Sequence, residues 1–139
     1  MGEIIVKIEL ENYLDRVLAE DKKLKKSEVR SFNMKALVDT GAVMLMLPQD
    51  VVEKLGLRTI RTAVVSYADE RKETRKIAGG LFIRIGDRET IANCIIGPPN
   101  SEALIGQIIM EELDLIPDPY HRTIGPRPES PIYASLKMK

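Results

Sequence analysis

The stretch KALVDTGAVMLMLP, residues 35–48, sets one carboxylate, Asp39, inside an apolar run and follows it with the hydroxyl of Thr40 and with Gly41. A charged acid among aliphatic side chains costs free energy unless something compensates it. Two chemistries fit these residue types. In the first, Asp39 is a turn residue whose side chain bonds its own backbone. In the second, it is a reacting group on a tight loop, next to a hydroxyl that can donate and accept and a glycine that permits close backbone approach. Residues 36–38 and 43–47 are apolar. Both flanks therefore read as buried on both faces, as at the centre of a closed barrel or sandwich, with Asp39 desolvated between them.

No other residue offers comparable chemistry. Asp15, Asp21, Asp50, Asp69, Asp87, Asp114 and Asp118 are followed by Arg, Lys, Val, Glu, Arg, Leu and Pro, so Asp-Thr-Gly occurs once. Cys94, the single cysteine, sits among aliphatics in IANCIIG and reads as a core thiol. His121, the single histidine, lies in the polar stretch DPYHRT with no partner cluster and reads as a surface residue. One Cys and one His make no zinc-type spacing, phosphate-loop patterns are absent, and neither a metal nor a cofactor is expected.

The elements that must hold Asp39 follow from periodicity. EIIVKIEL reads as a strand. Asn12 reads as a helix cap, with Asp15 in the capping-box position and Leu14, Val17, Leu18 and Leu24 on one face, so an amphipathic helix is expected over 13–25, ending in the solvated run EDKKLKK. EVRSFNMKALVD is a second strand leading into the Asp39 loop. QDVVEKLGL is a short helix stopped by Gly56. Residues 58–96 alternate, with turns near Asp69–Arg71 and Gly86–Asp87, as successive antiparallel strands do. A further short helix follows Gly106. From Pro117 onward, five prolines and little periodicity predict a tail, 117–139, that wraps rather than folds alone.

The 139 residues suit one compact domain, 1–139, mainly β with two or three short helices. Charge balances at 21 basic against 21 acidic residues, which gives no electrostatic reason to expect nucleic acid or an anionic membrane. No apolar stretch has the length of a membrane span, and Glu3 and Val6 argue against a leader or a myristoylation signal at Gly2. The lone cysteine fits a reducing, cytoplasmic setting.

Leu37-Val38-Asp39-Thr40-Gly41-Ala42, together with the later Leu104-Ile105-Gly106 that opens QIIMEEL, resembles the retropepsin-like aspartic proteases, the viral enzymes and their cellular relatives. The resemblance spans about residues 29–116, and the layout is most similar to small prokaryotic members. It implies a closed β-barrel of the acid-protease fold with one lobe per chain. It also implies an aspartic endopeptidase in which two aspartates share a proton and activate a water without a covalent intermediate. Because the chain supplies one such aspartate, a two-fold homodimer would bring two Asp39 carboxyls together. Thr40 would then lock the two loops across the axis, and Gly41 would meet the backbone of a peptide or protein substrate. The hairpin VSYADERKETR would be the flap, with Tyr67, Ala68 and Asp69 at or near its tip. Ala42, Val43, Ile83, Leu104, Ile105 and Gly106 would line the substrate side.

Two departures stand out. Viral members pair an acid two places after the motif glycine with a base just after the second glycine, and here those places hold Val43 and Gln107. The flap tip, ADER, lacks the usual glycine. These departures keep open an alternative: an inactive module of the same fold that binds peptides or mediates dimerisation.

Overall fold

The computed structural model describes residues 3–138. Met1, Gly2 and Lys139 lie outside them, and with them the N-terminal acylation reading and the last residue of the tail. Strand β1 (Ile5–Asn12) leads into α1 (Tyr13–Glu20), and a 3-10 turn (Lys26–Glu28) leads into β2 (Ser31–Val38). After the Asp39 loop come β3 (Met46–Pro48), α2 (Gln49–Leu55), β4 (Arg58–Ser66), β5 (Lys72–Ile85) and β6 (Arg88–Gly97). Next are β7 (Ala103–Ile105), α3 (Gln107–Leu113), β8 (Leu115–Asp118) and β9 (Thr123–Pro126).

Six strands close into a barrel in the order β1-β2-β7-β3-β6-β5, with β5 returning to pair with β1. The mainly β class and the retropepsin-like, one-lobe architecture read from the sequence are thus found in the structure. Alternation explains the inside of the barrel. Ile8 and Leu10 of β1, Leu81 and Ile83 of β5 and Ile105 of β7 are fully buried, whereas Lys7 and Glu9 point outward. Helices α2 and α3 seal the barrel with Val51, Val52, Leu55, Ile109 and Leu113. Gly56 ends α2 at φ 63°, the left-handed cap its position predicts. Strand β4 pairs with β5 alone, so β4 and the first half of β5 form an exposed two-stranded arm.

Three expectations need correction. Helix α1 stops at Glu20 rather than reaching residue 25. Beyond Leu18 its apolar period rests on Leu24 alone, and the chain reverses at Lys22, φ 60°. The Asn12 cap is present, accepting from Asp15 N–H at 3.0 Å. The Asp15 carboxylate turns away from the capping box to Arg30, at 2.8 and 3.0 Å, and those hydrogen bonds hold it below its ordinary range. The third correction concerns residues 115–126, which form the β8–β9 hairpin rather than an irregular tail. Pro117 and Pro126 are tolerated there because a two-stranded ribbon has an open edge on each side.

Beyond the hairpin the chain does wrap. Asp114, the left-handed cap of α3, is 7% exposed. It accepts from Arg127 Nε at 2.5 Å, from Ser130 Oγ and from Ser135 N–H at 2.9 Å. Buried Arg88 donates to the carbonyls of Leu113, Asp114 and Ser130. The Arg127 guanidinium, aided by Ser130 and Ser135, holds the Asp114 carboxyl far below its ordinary value of 3.8. A depressed folded value stabilises the protein fully above the unfolded value and loses that contribution as pH falls through the folded one. Asp114→Asn is therefore expected to lower the urea midpoint at pH 7 and to flatten its decline below about pH 4. Equal destabilisation at pH 7 and pH 3 would contradict this.

Candidate active site

The Asp39 loop joins β2 to β3, and each of its ends is fixed by the sheet. Asp39 N–H donates to Ile105 O at 2.9 Å, extending the parallel β2–β7 pairing by one bond. Ala42 N–H returns to Asp39 O at 3.1 Å, closing a turn over Thr40 and Gly41. Within that turn Gly41 N–H donates to Asp39 Oδ1 at 2.9 Å. A Cβ on Gly41 would lie 3.3 Å from the same oxygen, so the glycine leaves room for the carboxylate. Among the described residues Oδ2 accepts no hydrogen bond and stays available to water, a proton or a second molecule.

Asp39 is half-buried and Thr40 exposed. Of the flanks expected to be buried on both faces, Ala36, Leu45 and Leu47 are buried, Leu37, Val38, Met44 and Met46 are half-buried, and Val43 is 61% exposed. Strand β3 begins only at Met46, so residues 42–45 are loop and turn Val43 outward. Asp39 is consequently less desolvated within one chain than its neighbours imply.

Leu104-Ile105-Gly106 packs directly against this loop. Gly106 is buried, and a Cβ there would meet Ala42 O at 2.7 Å, Met44 O at 2.8 Å and Val43 C at 2.8 Å. Helix α3 starts at this contact, and its first N–H groups, which have no partner inside the helix, are given to the loop. Gln107 N–H donates to Ala42 O at 2.8 Å and Ile108 N–H to Val43 O at 3.0 Å. The two motifs, more than sixty residues apart in sequence, are thus one backbone unit. Ile105 and Ile83 are fully buried, so their side chains belong to the core and not to a substrate surface. Leu104 is half-buried and Ala42 partly so.

The hairpin tip at Tyr67–Arg71 is a separate feature and makes no hydrogen bond to the Asp39 loop among the described residues. Tyr67 N–H bonds Arg71 O at 2.9 Å, and Glu70 takes the left-handed position, φ 66°, where a glycine is easiest. Asp69 accepts from Arg71 N–H at 3.1 Å, and the Arg71 guanidinium lies 4.7 Å from the centre of the Tyr67 ring. The missing glycine is therefore replaced by a braced tip.

Other titratable residues do not join the site. Cys94 is fully buried, and burial pushes its thiol up to about 12. His121 is exposed, but it does have a partner: Nδ1 lies 2.6 Å from Asp118 Oδ2, on the β8–β9 turn. Among the described residues no group of three or more metal-ligating side chains occurs, and no helix is long and apolar enough to cross a membrane.

Sequence reasoning treats Gln107 only as a lost charge. In the structure its side chain reaches back to the loop, Nε2 donating to Thr40 O at 2.8 Å. The one signal for this contact is a glutamine directly after the motif glycine, where an amide can replace an ion pair.

A family model described as "Aspartyl protease" matches residues 26–108, a span that includes both motifs and the β4–β5 hairpin. No curated protein matches the chain. With more than half its length matched, and with a closed six-strand barrel that carries the single Asp-Thr-Gly loop between β2 and β3, the chain belongs to the aspartyl protease family of retropepsin-like type.

Proposed function

We propose that the protein is an aspartic endopeptidase that acts as a homodimer and hydrolyses peptide bonds with water activated between two Asp39 carboxyls. The observation that carries the reading is the Asp39 loop itself. One carboxylate oxygen is fixed by Gly41 N–H, the other is unpartnered among the described residues, and the loop is clamped to β7 and α3. Such a carboxylate can serve as general base toward a water, provided that a second acid shares the proton and polarises the scissile carbonyl. The chain has one Asp-Thr-Gly, so the second acid comes from a symmetry-related copy.

In this reading residues 1–139 act as one protease-fold unit with no cofactor or metal. Exposed Thr40 reaches across the axis and Gly41 approaches the substrate backbone. Ala42, Val43, Leu104 and the backbone of Ile105 and Gly106 shape the substrate side. The Tyr67–Asp69 tip closes over an extended peptide and excludes water. A cytoplasmic setting, resting on the lone buried thiol, and a peptide or protein substrate complete the reading.

The inactive peptide-binding module is the second reading, favoured by exposed Val43 in place of an acid. Digestion of a peptide library separates the two. The enzyme reading expects discrete cleavages that a statine-containing peptide, a mimic of the tetrahedral transition state, suppresses. Binding of the statine peptide without any cleavage would support the module instead.

A further inference from the structure

We infer that Gln107 is a positioning residue for the Asp39 carboxylate and acts through the Thr40–Gly41 peptide group; the inference rests on the peptidase reading above. The Thr40 carbonyl and the Gly41 N–H belong to one peptide plane, and a planar trans amide points its C=O and N–H in opposite directions. Gln107 Nε2 holds the carbonyl end of that plane at 2.8 Å. The N–H end donates to Asp39 Oδ1 at 2.9 Å. Fixing one end therefore aims the other. Rotation of the plane would withdraw the single hydrogen bond that orients the Asp39 side chain.

The other bonds of the loop leave this peptide free: Ala42 N–H closes the turn on Asp39 O at 3.1 Å, but neither group belongs to the Thr40–Gly41 peptide. Gln107 N–H and Ile108 N–H hold the carbonyls of Ala42 and Val43, which lie beyond the turn. Asp39 N–H is fixed to Ile105 O, before it. The Thr40–Gly41 peptide lies between these anchors. Among the described residues the Gln107 amide is the only side chain from outside the loop that bonds the backbone of residues 39–44. Where viral relatives place a charge pair, this chain uses a neutral donor on a main-chain acceptor. Such a contact does not depend on the ionisation of a partner.

The test uses three substitutions in the full chain. Gln107→Ala removes the donor. Gln107→Glu keeps the shape but, ionised at neutral pH, offers only acceptors to the Thr40 carbonyl. Gln107→Lys restores a donor. Ala and Glu variants are expected to lower kcat roughly tenfold, equivalent to about 1.4 kcal/mol, with KM changed by less than about twofold because the contact orients the reacting group rather than binding peptide. Lys is expected to recover most of the loss. In the NMR spectrum the Gly41 amide proton should move upfield in the Ala and Glu variants, as its hydrogen bond to Asp39 loosens, and return toward the wild-type position with Lys. A Gln107→Glu protein with wild-type kcat and an unmoved Gly41 resonance would overturn the inference. If the wild type cleaves no peptide, the proposed function fails, while the Gly41 resonance still decides whether Gln107 sets this peptide plane.

Discussion

Asp39→Asn is expected to reduce peptide hydrolysis by on the order of 10³-fold or more while leaving fold and dimer intact. The substitution is nearly isosteric. Asparagine Oδ1 can still accept from Gly41 N–H, the bond that shapes the turn, now at 2.9 Å. The side chain is half-buried and makes no ion pair among the described residues, so no charged partner is orphaned. What is lost is specific. An amide nitrogen replaces the unpartnered oxygen and cannot take a proton from water. General acid–base catalysis of this kind is worth about 10² to 10⁴-fold per group, and both copies lose it at once in a homodimer. Hydrolysis rates on one peptide, thermal melting and sedimentation velocity together check the expectation. Cleavage at the wild-type rate would remove Asp39 from the chemistry.

Gly106→Ala should damage both stability and activity, although it lies outside the Asp-Thr-Gly motif. The three atoms that a new Cβ would meet at 2.7–2.8 Å are all main-chain atoms of residues 42–44. No flexible side chain can swing aside to relieve them. The backbone itself is not the obstacle, because Gly106 has φ −99°, which any residue adopts. The cost is therefore that of overpacking, about 1–3 kcal/mol, with a fall in Tm of roughly 3 to 15 °C. The loop that must yield carries Asp39 at its start, and a displacement approaching 1 Å at a reacting group costs about 10²-fold in rate. Gly125→Ala in β9 is the control, since a Cβ there meets nothing within 4 Å. A Gly106→Ala protein as stable and active as the Gly125→Ala protein would show that the close approach of the two motifs is not needed.

The parts of this fold that are legible in the sequence are those written in local pattern. Alternation marks β1 and the β4–β6 series, and Gly56 marks the end of α2. Asp39-Thr40-Gly41 and Leu104-Ile105-Gly106 are visible as small motifs in apolar surroundings. Features that depend on distant partners are not legible. Asp15 reads locally as half of a capping box, yet Arg30, fifteen residues away, takes its carboxylate. The prolines of residues 117–131 disguise the β8–β9 hairpin, whose two strands hold only Pro117 and Pro126. Arg88, just after the Gly86–Asp87 turn, carries no local sign that it is buried on the carbonyls of Leu113, Asp114 and Ser130. Gln107 carries no charge, its place directly after the motif glycine does not name its partner, and its contact spans 67 residues. Val43 is misread for a related reason: an apolar run does not reveal where a strand gives way to a loop.

Mixing wild-type and Asp39→Asn chains tests the shared site most directly. With wild type held constant and subunits allowed to exchange, an equal amount of Asp39→Asn should divert half of the wild-type chains into mixed dimers and reduce activity to about half, falling further with each excess. Activity that stays constant as the variant is added would mean that each chain works alone, and the two-carboxyl site would be wrong.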